Sequence, residues 1–281
     1  MTAKVVTDSV SDLPHEIAEE LGITVVPLCL RFGDKVYHDG VDLTAEQFYR
    51  RLEEDKKNFP VTSLPSPADF ADTYDRLAEQ INEILVITVT SKLTATYQVA
   101  QQSVGLMKRK CRVEVVDSEW AVMAQGMMVM AAAKAAQAGA SLDELVSLTK
   151  RNISRVDFRT IFDTLDYLKR GGRIGKAQAF LGSILKINPI ITLKDGVVEP
   201  AGRTRSRSKA IEQLYDFAMS YSHLDGLAVE DAATPDEAEA LVRRLSAKFP
   251  RELIYRSKFS PAVGTHTGPH VLSISVMGDK G

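Results

Sequence analysis

The chain has 281 residues, 44% hydrophobic and 26% charged, and its 35 Lys and Arg against 37 Asp and Glu leave a net charge of −2. That length accommodates two domains or one large one, and the apolar fraction is enough for a real core. Intrinsic disorder, collagen-like repeats, a disulfide scaffold and the global basic character of a general nucleic-acid binder are excluded. The two cysteines, Cys29 and Cys111, read as small buried hydrophobes. The first residues lack the pattern of a signal peptide, and no apolar run approaches the ~18–20 residues of a membrane span, so a cytoplasmic protein is expected.

In chain order, Lys4–Val6 reads as a strand and Pro14–Leu21 as a helix stopped by Gly22. Thr24–Arg31 and Lys35–His38, flanking Gly33-Asp34, read as strands of a small β insertion over about residues 23–60. Ser66-Pro67-Ala68-Asp69 is a helix start, and Phe70, Tyr74, Leu77 and Ile81 give its apolar face. Ile84–Val89 is a continuous apolar run, the mark of a strand buried on both faces of a parallel sheet. A helix over Thr94–Met107, a strand at Val113–Val116, an Ala- and Met-rich helix over Trp120–Gln137 and a helix capped at Ser141 complete an α/β pattern. Beyond it, Phe180–Ile187 is apolar, and Pro189–Leu193 and Val197–Glu199 flank Asp195-Gly196, a strong hairpin signal. A helix with Ile211, Leu214 and Phe217, a strand at Gly226–Val229, a helix opened by Thr234-Pro235 and strands at Leu253–Arg256 and Val271–Val276 follow. The expected fold is an N-terminal parallel-sheet α/β domain (1–160) with the small β insertion, plus a C-terminal α+β domain (161–281).

Three βα junctions carry polar groups: Thr7-Asp8-Ser9, Thr90 through Thr96, and Asp117-Ser118. At the carboxyl edge of a parallel sheet they would border the crevice where such folds bind ligands. The helix start near Thr94, with hydroxyls at Thr94 and Thr96, suits a small anion, although Ser, Thr and Asp also serve simply as caps. Residues 170–209 hold a local charge of +7, leaving −9 on the rest. Lys169 through Lys176 superficially resembles a phosphate loop but fails it: Gly171 and Gly175 are one residue too close, and Ala177 replaces the Mg²⁺-binding hydroxyl. No GxGxxG, HExxH, GxSxG or CxxC is present. Arg203, Arg205 and Arg207 on alternate positions would share a strand face that suits phosphate or an acidic partner. Gly264-Thr265-His266-Thr267-Gly268-Pro269 reads as a polar turn whose glycines allow a ligand close to the backbone.

Six pieces in register span essentially the whole chain: Thr7-Asp8-Ser9 with Asp12-Leu13-Pro14; Thr62-Ser63 with Pro65-Ser66-Pro67; Leu93 through Gln98; Asp117-Ser118; Tyr167 through Ile174; and Gly264 through Pro269. Together they resemble the DegV family of bacterial fatty-acid-binding proteins. The resemblance implies two domains with one long-chain fatty acid (palmitate, stearate or oleate) in a tunnel between them, and no cofactor. It also implies a lipid-binding chain that is not an enzyme alone but resembles the binding subunit of bacterial fatty acid kinase, presenting the acyl carboxylate to a separate ATP-using subunit. By the same resemblance Thr62 and Thr94 hydrogen-bond the carboxylate, supported by N–H groups near Ala95 and Thr96 and approached by His266. Arg170 and Arg173, with Arg203 or Arg205, would contact the phosphate product or the partner.

Three positions depart from the family pattern: Ala95 for Gly, Leu64 for Gln, and His270 for Gly. If the His270 position takes positive φ, the substitution costs about 1 kcal/mol or more. Met123, Met127, Met128 and Met130 suit either a core or an adaptable tunnel, and Phe180, Leu181, Ile184 and Leu185 either a core or a tunnel lid. Two other classes fit some of the residues: a small-anion hydrolase using Asp8, Asp12, Asp117 or His266 as acid or base, and a nucleic-acid-binding regulator using the Arg-rich segment, against which the acidic remainder argues.

Overall fold

A computed structural model describes residues 3–55, 58–181 and 187–280. The chain opens with strand β1 (Lys4–Asp8), a 3₁₀ turn (Ser9–Ser11), helix α1 (His15–Leu21) and strands β2 (Thr24–Val26), β3 (Cys29–Phe32) and β4 (Lys35–His38). Helix α2 (Ala45–Glu54), β5 (Val61–Ser63), α3 (Pro67–Leu77), β6 (Glu83–Thr88), α4 (Thr96–Val104), β7 (Arg112–Asp117), α5 (Val122–Gln137) and α6 (Leu142–Asn152) follow. Next come β8 (Val156–Ile161), α7 (Asp166–Arg170), β9 (Asn188–Lys194), β10 (Val197–Thr204) and α8 (Arg207–Met219). The last elements are β11 (Tyr221–Ala232), α9 (Pro235–Ser246), β12 (Ile254–Lys258), α10 (Pro261–Thr267) and β13 (Val271–Lys280).

The continuous apolar runs assemble a parallel sheet of order β2-β1-β6-β7. Alternation across the strands divides them between two cores. Val6, Ile84 and Val86 pack with Phe70, Tyr74 and Ala100 of α3 and α4, whereas Val5, Leu85 and Ile87 face the core that contains α5. Helix α5 is apolar all round because it lies between this sheet and a second one. Met123, Met127, Met128 and Met130 are therefore core residues. The second sheet, β10-β9-β8-β13-β11-β12, is antiparallel except for the β11–β12 pair. Ile161, Leu227 and Ile274 meet α8 and α9 on one face, and Phe158, Ile191 and Leu193 turn toward the α5 core on the other. The α/β class with a parallel N-terminal sheet is as expected from the sequence. Asp195 and Gly196, with φ of 51° and 77°, form the β9–β10 turn.

Several local expectations are corrected. Thr24–Arg31 is two strands, since Pro27 offers no N–H to a ladder; β2 joins β1 in the parallel sheet, and β4-β3-β5 is a separate antiparallel sheet. Between its strands sits α2, opened by a Thr44–Gln47 capping box. Strand β10 ends at Thr204 and Ser206 caps α8, so Arg203, Arg205 and Arg207 do not share a strand face. Arg207 pairs instead with Glu237 at 2.7 Å and Asp163 at 3.3 Å. The polar segment before the last strand is helix α10, not a loop, with Ser260 as its cap and Pro261 in its first turn. Phe180 packs partly buried against the main core and Leu181 is 37% exposed, whereas Ile184 and Leu185 lie outside the described residues.

Candidate functional site

An apolar cavity of about 180 Å³ lies where the edges of these sheets converge. Val10, Leu28, Val89, Leu93, Ala121 and Val122 wall it on the parallel-sheet side, and Phe158, Phe162, Leu168, Ile191, Leu193 and Val198 on the six-stranded side. Phe259, Ala262 and Val263 contribute from α10 and the segment before it, and Ser63 and Leu64 from the end of β5. The β9–β10 turn closes over the β6–α4 loop, where Thr90 Oγ1 donates to the Gly196 carbonyl at 3.3 Å.

The polar lining is sparse. Thr160 and Thr267 bond within the protein, Thr160 Oγ1 to Ser273 Oγ at 2.7 Å and Thr267 Oγ1 to the Val263 carbonyl at 3.2 Å. The remaining groups meet at one place. Thr62 Oγ1 lies 2.8 Å from His266 Nε2, a pairing of β5 with α10 across 204 residues. Arg173 donates from Nε to the Leu93 carbonyl at 3.1 Å and from Nη1 to the Gly171 carbonyl at 2.6 Å, with no carboxylate partner among the described residues. Thr94, next to Leu93, also lines the cavity, and its hydroxyl lies 3.0 Å from that of buried Thr96.

Burial, reinforced by the Arg173 guanidinium, pulls His266 down to about 4, so the ring is neutral at pH 7. Its Nδ1 is buried against Gly171 without a partner among the described residues, and a Cβ at Gly171 would stand only 2.2 Å away. An orphaned buried donor is rarer than an orphaned acceptor, which places the ring proton on Nε2, donating to Thr62. The Thr62 hydroxyl hydrogen is then free for another acceptor. The cluster thus offers donors and one cation at the edge of an apolar space, the requirement for a carboxylate with a hydrocarbon tail.

Of the residues singled out from sequence, Thr62, Thr94, His266 and Arg173 line the cavity; Ala95, Thr96, Arg170, Arg203 and Arg205 do not. Ala95 is exposed at φ −82°, a conformation that does not need glycine. Arg170 is exposed and stacks 4.1 Å over the Phe59 ring, which itself packs on Tyr167. Arg203 and Arg205 are exposed. Gly264 and Gly268 admit the protein's own rings, those of Phe48 and Tyr49 and that of Tyr167, rather than a ligand. His270 does take positive φ, 60°. Asp8 accepts the Val89 N–H at 2.8 Å and the Val10 N–H at 3.1 Å, and Asp117 accepts those of Glu119 at 2.9 Å and Ser91 at 3.1 Å. Neither lines the cavity, so no acid–base pair with His266 forms and the hydrolase reading gains no support. Among the described residues no group of His, Cys, Asp and Glu could hold a metal ion, and no helix is long and apolar enough to cross a membrane.

The profile of the DegV family, described as uncharacterised proteins, matches residues 2–279. The chain belongs to the DegV family. A DegV domain-containing protein of Caldanaerobacter subterraneus subsp. tengcongensis is 35% identical over 274 residues, 96% of each chain. A DegV family protein from Thermus thermophilus, solved for its fatty acid binding, superposes with a TM-score of 0.90 at 34% identity, over 99% of this chain and 100% of the other. DegV of Bacillus subtilis, a fatty acid binding protein, has a TM-score of 0.89 at 29% identity over 99% of each chain.

Proposed function

We propose that this DegV protein binds one long-chain fatty acid, such as palmitate, stearate or oleate, between an α/β domain (1–160) and an α+β domain (161–281). The acyl chain occupies the apolar cavity, and the carboxylate meets Thr62, Thr94 and Arg173, with His266 orienting the Thr62 hydroxyl. Thr96 holds the Thr94 hydroxyl in place, and Ala95 contributes backbone only. The observation that carries this reading is the convergence of Thr62, His266 and Arg173 on a wall that is otherwise apolar. Relatives described as fatty acid binders support it. Burying roughly 15 methylenes at ~0.8 kcal/mol each supplies on the order of 12 kcal/mol gross, enough to offset the ordering of a flexible chain.

In this reading the chain works in the cytoplasm, performs no chemistry alone and needs no cofactor. It presents the bound acid to a separate kinase subunit that forms acyl-phosphate, and exposed Arg170, Arg203 and Arg205 offer a basic rim to that partner or to the new phosphate. Denaturing extraction and mass spectrometry of protein purified from bacteria tests the binding: about one fatty acid per chain is expected, and a chain that is empty and takes up neither palmitate nor oleate overturns it. Incubation of the palmitate-loaded chain with ATP and a bacterial fatty acid kinase catalytic subunit tests the presentation. Acyl-phosphate is expected only with both proteins present.

A further inference from the structure

Around the start of α10 lies a group of buried acids that do not line the cavity and that the proposed site does not use. Asp12 and Asp39 are 5% and 3% exposed, and Glu230 is fully buried. One oxygen of each aspartate does a specific job. Asp12 Oδ1 accepts the Ser260 N–H at 3.1 Å, and Asp39 Oδ1 accepts the Ala262 N–H at 3.0 Å. The same stretch is held at two more points: the Ser257 hydroxyl donates to the Asp12 carbonyl, and the Tyr49 hydroxyl donates to the Phe259 carbonyl at 3.1 Å. The other oxygens, Asp12 Oδ2 and Asp39 Oδ2, have no hydrogen-bond partner among the described residues.

Burying two carboxylates with an unsatisfied oxygen each is unfavourable, and the fold accepts that cost where their removal would leave the Ser260 and Ala262 N–H groups unpaired. What these acids fix is the entry and first turn of a helix that carries Val263, His266 and Thr267 to the cavity wall. Ala262 and His266 are four residues apart, one helical turn, so a displacement at the first passes directly to the second. We propose that Asp12 and Asp39 are positioning residues for the cavity: by holding the Ser260 and Ala262 N–H groups they set where His266 stands against Thr62. Asp8, Glu230, Asp231 and Tyr49 are the other titratable groups around them, and Arg256 is engaged by Asp231. Burial raises Asp39 to about 6 and Asp12 well above its usual range, the latter also through repulsion from Glu230. The Oδ1 atoms accept in either protonation state, so asparagine can replace each acid while alanine cannot.

The test compares Asp12→Ala, Asp39→Ala, Asp12→Asn and Asp39→Asn in the full chain. The two readouts are the titration of the His266 ring by NMR and the affinity for palmitate. In the alanine variants the His266 pKa should rise by about one unit or more as the ring is released toward water, and palmitate affinity should fall about tenfold, the worth of one misplaced hydrogen bond. The asparagine variants should stay near wild type in both. If an alanine variant does not fold, Tyr49→Phe, which removes a single bond to the same segment, should shift the His266 titration in the same direction. A folded alanine variant with unchanged His266 and palmitate affinity overturns the proposal, as does an asparagine variant perturbed as much as alanine. The affinity readout rests on the fatty-acid reading and the ring titration does not. A wild-type chain that binds no palmitate, with His266 still responding to Asp39→Ala, therefore overturns the function and leaves the positioning role supported.

Discussion

Gly171→Ala puts the site's geometry under direct strain. A Cβ there stands 2.2 Å from His266 Nδ1 and 3.0 Å from its Cε1. Ordinary contact begins near 3.5 Å, so Nδ1 must withdraw by about 1.3 Å. Thr62 blocks the withdrawal, because its hydroxyl lies 2.8 Å from Nε2 on the far side of the ring. The ring must swing sideways and give up that bond. Overpacking of this kind costs about 1–3 kcal/mol of stability, and losing the orientation of a donor to a charged ligand weakens binding by about 1.5–3 kcal/mol, roughly 10- to 100-fold. Gly105→Ala is the control, since its Cβ would meet only the Gln102 carbonyl at 3.5 Å. Urea unfolding and palmitate titration of both variants check the result. A Gly171→Ala chain that binds palmitate as tightly as the Gly105→Ala chain refutes the reasoning.

Thr62→Val keeps the shape of the wall but removes the hydroxyl, and palmitate affinity measured by calorimetry should drop at least about tenfold. His266, held near 4 against its ordinary 6.5, takes up a proton in the unfolded chain before the folded one, so it costs stability as pH falls through that window. Between pH 7.5 and 5 the loss of unfolding free energy should be about 2 kcal/mol larger in wild type than in His266→Asn, read from urea curves at each pH. Asp8 and Asp39, raised to about 6, act with the opposite sign, gaining stability as pH falls from about 6 toward 3.8, which is why the difference between variants is the useful quantity. His270→Gly relieves a φ of 60° and should stabilise the chain by about 0.5–1 kcal/mol after the larger unfolded-state entropy of glycine is subtracted. A Tm equal to or below wild type would count against that strain.

The parallel sheet was legible because strands buried on both faces are apolar without interruption, as in Ile84–Val89, and the type I′ turn because Asp195-Gly196 tolerates positive φ at both positions. Helices α2 and α10 were harder. Their signals, Thr44 with Gln47 and Ser260 with Pro261, are present, but the polar first segment and the two glycines of the second hide a helical period. The alternation of Arg203, Arg205 and Arg207 was misleading because Ser206 starts a helix within it. Thr62 is named by family resemblance alone and His266 by its polar, glycine-flanked segment as well; no local pattern relates residues 204 positions apart, since their contact exists only once β5 lies against α10. Family resemblance gives Arg173 as a contact for the phosphate product or the partner, and its bonds to the Leu93 and Gly171 carbonyls at the cavity become visible only in the folded chain. Asp39 belongs to none of the motifs, and its bond to Ala262 is visible only in the folded chain.

Palmitate labelled with ¹³C at its carboxyl carbon reports most directly on the central claim. Bound to the wild-type chain, it should give one resonance at one equivalent, displaced from that of free palmitate and moved by Thr62→Val and by Arg173→Gln, while a label on the terminal methyl stays unmoved by either. A carboxyl resonance that remains at the free position, or that ignores both substitutions while the methyl responds, would contradict the placement of the head group among Thr62, Thr94, His266 and Arg173.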